Sequence, residues 1–116
     1  MSCDMHAFIE RPYSNSNDYQ AIAKVFIDRD YDFFGMIAGV REESLIIFEP
    51  RGIPSDASIE TRYQYSREES DAHTPSWLTA EEIRLIEERA KWRSNEHLFA
   101  MMRALPDARI IFWFDN

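Results

Sequence analysis

The sequence predicts an α+β fold in which a small antiparallel sheet, made of an N-terminal hairpin and a C-terminal strand, packs against helices. Three observations predict it. Two alternating runs flank a short Asn/Ser/Asp turn near the start, Thr79 and Glu82 form a capping-box pair, and residues 109–114 are apolar on both faces. At 116 residues the chain fits one domain, residues 1–116, large enough to bury a core without disulfides or a structural metal.

Residues 3–10 alternate, with Cys3, Met5, Ala7 and Ile9 on one side and Asp4, His6, Phe8 and Glu10 on the other. The turn at residues 14–18 leads into a second alternating run, residues 19–27, and the two runs predict an antiparallel hairpin. Asp30 is placed to cap a short helix carrying Phe33, Phe34, Ile37 and Val40, with Gly39 near its C-terminal end. Residues 45–48 form a brief buried segment. Residues 49–54 form a constrained loop, because Pro50 and Pro54 fix φ and remove donors. Residues 56–68 read as helical with weak periodicity.

The main helix starts at Thr79, where Glu82 completes the capping box and Leu78 and Ile83 take the staple positions. Run unbroken, it presents Ile83, Ile86, Ala90, His97 and Met101 along one stripe, with residues 92–95 as the place of a break. The stretch 105–107 ends it. The strand over 109–114 is expected to be central and covered on both faces.

A formal charge of −8, from 13 basic and 21 acidic residues, repels phosphate backbones and argues against general nucleic-acid binding. It leaves open an acidic inhibitor that mimics nucleic acid. The single cysteine, Cys3, forms no internal bridge, and no secretory or bilayer-length apolar segment is present, so a cytoplasmic location away from membranes is expected. Nucleophilic catalysis finds no motif around Cys3, and three glycines make no phosphate loop.

Two groups of residues can carry chemistry. Asp4 with His6 and Asp71 with His73 repeat an Asp-x-His pattern, which on a strand puts a hard oxygen and an imidazole on one side. The two pairs together would supply four ligands to a divalent metal, with Glu10 and Asp115 as additions. Against this, each pair is also ordinary turn and cap chemistry. The other group is a candidate anion site: the forks of Arg41 and Arg51, with His73, Thr74, Ser76 and the amides that open the Thr79 helix, and Trp77 to stack on a base. The competing reading pairs Arg51 with one of the many carboxylates. His97 reads as a satisfied core histidine and Cys3 as a small buried hydrophobe.

The runs CDMHAFIE, RDYDFFGMIAGVR, PRGIPSDAS, DAHTPSWLT and RIIFWFDN resemble a group of small accessory proteins of tailed bacteriophages that carry no assigned activity. Residues 15–27 and 62–69 contribute nothing to the likeness. The resemblance implies a setting, an infected bacterial host, and a role in counter-defence or host takeover, and it assigns no catalytic residue. Three functions follow as expectations. The first is a binding protein without catalysis that engages a host effector protein or sequesters an anionic nucleotide signal. The second is a metal-dependent hydrolase or phosphodiesterase built on Asp4, His6, Asp71 and His73. The third is the acidic nucleic-acid mimic.

Overall fold

The computed structural model describes residues 2–91 and 94–116. Its strands are β1 (Asp4–Pro12), β2 (Tyr19–Val25), β3 (Ala72–Thr79) and β4 (Arg109–Asp115). The helices are α1 (Tyr31–Ala38), α2 (Ile59–Glu68), α3 (Ala80–Arg89) and α4 (Glu96–Ala104), with a short 3-10 turn at Glu43–Leu45. One four-stranded antiparallel sheet runs in the order β2-β1-β4-β3. The expected α+β class holds, with one strand more than the hairpin and the final strand supply.

Alternation along β1 and β4 divides the hydrophobic side chains between two faces. On the first face, Met5, Ala7, Ile9, Ile110, Phe112 and Phe114 pack under α1, α3 and α4 through Phe33, Phe34, Ile37, Ile83, Ile86, Leu98, Phe99 and Met102. On the second, Phe8, Ile111 and Trp113 are covered by Ala57, Ile53 and Tyr65 from α2 and the segment before it. β4 is therefore the central strand with both sides dry, and Ile110 and Trp113 are both fully buried.

The caps form where the sequence places them. Asp30 accepts from the Phe33 amide to start α1, and Gly39, at φ 70°, ends it in the left-handed conformation that glycine adopts without strain. Thr79 and Glu82 make the reciprocal capping box of α3. Ser58 caps α2, which starts three residues later than its weak periodicity suggests.

Two readings are corrected and one open point is decided. The first correction is a strand, β3, across the polar stretch ahead of the Thr79 helix, although Pro75 lacks a donor and Thr74 adopts φ 54°. Both are tolerated because β3 is an edge strand whose register shifts between His73 and Ser76. The loop 50–54 lies along this edge, with Gly52 donating its amide to the Pro75 carbonyl at 2.9 Å. The open point is the helix from Thr79, which takes the break: α3 ends at Arg89 and α4 starts at Glu96. Of the expected break, Trp92 and Arg93 lie outside the described residues. The second correction follows from it. The restart changes the helical phase, so Leu98, Phe99 and Met102 face the core while His97 is exposed, its Nε2 2.5 Å from the Phe26 carbonyl.

Candidate functional site

The stiff loop does hold Arg51, but its fork is already engaged. Arg51 Nη1 and Nη2 reach the two Glu82 oxygens at 2.7 and 2.5 Å, and Nη1 also donates to the Trp77 carbonyl at 3.1 Å. The guanidinium lies 4.8 Å from the Trp77 ring centre, so that ring is stacked by an internal cation. Ser76 Oγ accepts the Arg51 amide at 2.9 Å. Two of the amides that open α3 are also engaged: Ala80 donates to the Ala108 carbonyl and Glu82 to Thr79 Oγ1. The Arg51 bond holds the Glu82 carboxyl below its ordinary value and raises the Arg51 guanidinium. Arg51, Ser76 and Trp77 thus come together as a structural clasp between the loop, β3 and α3.

The other expected anion ligands fall elsewhere. His73 binds Thr74 Oγ1 at 2.9 Å and stacks over Phe114. Arg41, at φ 69°, stacks on the Tyr31 ring at 5.1 Å. A shallow groove between α1 and β3 is lined by Thr74, Pro50, Glu43 and Glu49, and its two carboxylates oppose an anion.

The two Asp-x-His pairs approach without meeting. Asp4 and Ala72 both stand opposite Asp115, so they lie two strand spacings apart, about 10 Å. His6 stands opposite Trp113 on the second face, while His73 stands opposite Phe114 on the first. Asp4 is bonded to Arg29 through both oxygens, at 2.6 and 3.2 Å, and Asp71 lies on the exposed turn after α2. The four-ligand set of Asp4, His6, Asp71 and His73 is corrected accordingly: the pleat sends its two imidazoles to opposite sides of the sheet.

His6 instead joins a different group. Its Nε2 lies 2.5 Å from Asp115 Oδ2 and its Nδ1 3.7 Å from Glu68 Oε1. Asp115 is two positions from Trp113, the cross-strand partner of His6, and shares its face, while Glu68 descends from the last turn of α2. Burial by itself would raise the Glu68 carboxyl, but bonds from Gln64 and the Trp113 indole hold it below its ordinary value. The cluster lies beside a groove of ≈ 440 Å³ lined by Asp4, Met5, His6 and residues 24–27, where β2 parts from β1.

Sequence reading missed a second feature of this face. Glu10, fully buried, accepts from Arg109 at 3.0 and 2.8 Å, from the Ser58 amide at 2.9 Å and from Thr61 Oγ1 at 2.7 Å. Arg109 also reaches Asp56 at 2.9 Å and stacks on Tyr19. The signal was present, since Glu10 and Arg109 are opposite charges that adjoin the apolar runs of β1 and β4. Their pairing required the β1–β4 register.

Above this network, between the β1–β2 turn and the start of α2, lies a groove of ≈ 310 Å³. Tyr13 and Ile59 line it with the carboxylates Asp18, Asp56 and Glu60 and one cation, Arg62. Ile59 is 74% exposed, and Tyr63, one turn further along α2, is 61% exposed. No family model, curated protein or solved structure matches the chain.

Proposed function

We propose that the protein is a phage-type accessory binding protein without catalysis, acting in counter-defence or host takeover by engaging a host protein. The observation that carries this reading is the groove at the start of α2, which combines exposed Tyr13 and Ile59 with the carboxylates Asp18 and Glu60 and the cation Arg62, its third carboxylate, Asp56, being paired with Arg109. Such a surface suits a basic segment of a protein partner, with apolar contact at the centre and charge complementarity around it. The net charge of −8 attracts the same partner at longer range. The nucleotide-sequestering alternative has less support, because the fork of Arg51 that would hold a phosphate is bonded to Glu82.

The test uses the full chain and the Ile59→Asp variant. Both are presented to a bacterial lysate, and each captured protein is purified and titrated against wild type and variant. A saturable interaction that weakens at least tenfold in the variant and with rising salt is expected. Capture that the variant leaves unchanged overturns the surface. Calorimetry with cyclic dinucleotides, ADP-ribose derivatives and NAD runs alongside. Heat with wild type that Arg51→Lys abolishes would replace the protein partner with a nucleotide.

A further inference from the structure

We propose that His6, Glu68 and Asp115 form a binding site for a divalent first-row transition cation, with zinc as its reference ion. One ligand atom from each lies within 4.8 Å of the others, all three side chains are part-buried, and His6 lines the adjoining groove. Zinc–nitrogen and zinc–oxygen bonds of about 2.0–2.2 Å require donors about 3.3 Å apart. Asp115 faces His6 Nε2 and Glu68 faces Nδ1, so the imidazole and one carboxylate must turn for the three donors to converge on an ion. An imidazole with two carboxylates is a donor set that zinc and manganese accept, whereas magnesium prefers oxygen and water.

Four further observations support a cation here. The ligands come from three elements, β1, β4 and α2, each fixed by its own packing, so the site is built by the fold and not by a mobile loop. Glu68 is held from behind by the Trp113 indole and by Gln64, the outer-shell arrangement that orients a metal-binding carboxylate. It is also the last residue of α2, where the carbonyl ends of the helix give a negative potential. The groove beside His6 leaves room for water or a ligand atom to complete the coordination. The site uses only one histidine of the two Asp-x-His pairs, and it is independent of the groove at the start of α2.

The experiment is calorimetric titration of chelator-treated full-length protein with Zn2+, Mn2+ and Mg2+. One equivalent of zinc should bind, with manganese weaker and magnesium weakest. His6→Gln and Asp115→Asn should each weaken zinc at least tenfold. Asp71→Asn, outside the cluster, should leave it unchanged. Circular dichroism melts establish that each variant is folded, and cobalt(II) absorption provides a second reading of nitrogen ligation that His6→Gln should abolish. Absence of stoichiometric zinc binding overturns the site. Binding that survives both ligand variants, which would place the ion at His73 or His97, overturns it equally.

Discussion

Arg51 and Glu82 show how one side chain can serve two structures. Glu82 closes the α3 capping box through the Thr79 amide and also accepts the Arg51 fork, so the loop 50–54 is tied to a helix start. The bond to Arg51 depresses the Glu82 carboxyl from its ordinary 4.5. A depressed carboxylate contributes stability that is present in full above its unfolded value and lost as pH falls through its folded value. Arg51→Ala should therefore lower stability at neutral pH, and the gap from wild type should close as pH falls below 4.5. Urea unfolding from pH 7 to 3 measures it; a gap that stays constant would mean the clasp acts through packing on Trp77 instead. Arg51→Lys keeps the charge, loses the fork, and should fall between the two.

At the level of elements, α1 is fixed by close approach as well as by its caps. A Cβ on Gly35 would overlap the carbonyl and Cβ of Glu42, so the helix lies directly against the start of the 3-10 turn. Ile47 and Phe48 then return to the Met36 carbonyl. Gly35→Ala should cost about 1–3 kcal/mol, the usual range for overpacking, although alanine is the better helix former. A thermal melt unchanged or raised would show that the turn gives way. This contact was not legible in the sequence, where Gly35 is a glycine in a helical run. The caps of α1 and α3 were legible because they are local, one residue reaching another three along. β3 was hidden because its identity comes from β4: Thr74 and Pro75 read as loop until a partner strand and an edge position make them tolerable. His97 was placed on the core stripe by a helical phase that the restart at Glu96 resets.

Across the whole molecule, the Glu10–Arg109 network is the polar tie between the two layers of the second face. It joins β1, β4 and the start of α2 through four bonds to one carboxylate. Replacing one partner of such a buried pair leaves a charge without its counterpart and typically costs about 3–5 kcal/mol. That is a large fraction of the about 5–15 kcal/mol that holds a domain together. Glu10→Gln is expected to lower the unfolding free energy measured in urea by that amount, and Glu10→Gln with Arg109→Met should recover part of the loss. Equal destabilisation by the single and double variants would assign the cost to packing alone. The candidate sites divide the same way: residue types suited to chemistry were visible in the chain, but which face each occupied depended on register. His6 and His73 lie on strands separated by β4, and the parity of their positions sends them to opposite faces.

The strand order has a consequence in time. β1 pairs through residues Asp4 to Glu10 with the whole length of β4, and about 100 residues of chain separate the two partners. During synthesis the β1–β2 hairpin and α1 leave the ribosome well before β4, so the seam between β1 and β4 waits for about 100 further residues. Until then Met5, Ala7 and Ile9 have no β4 beside them, and both charges of the Glu10–Arg109 pair cannot be in place. At ~5–20 residues per second, that interval lasts on the order of 5–20 s. Folding of this chain is consequently governed by its most distant contact, and the early hairpin must remain unaggregated with a sticky edge exposed.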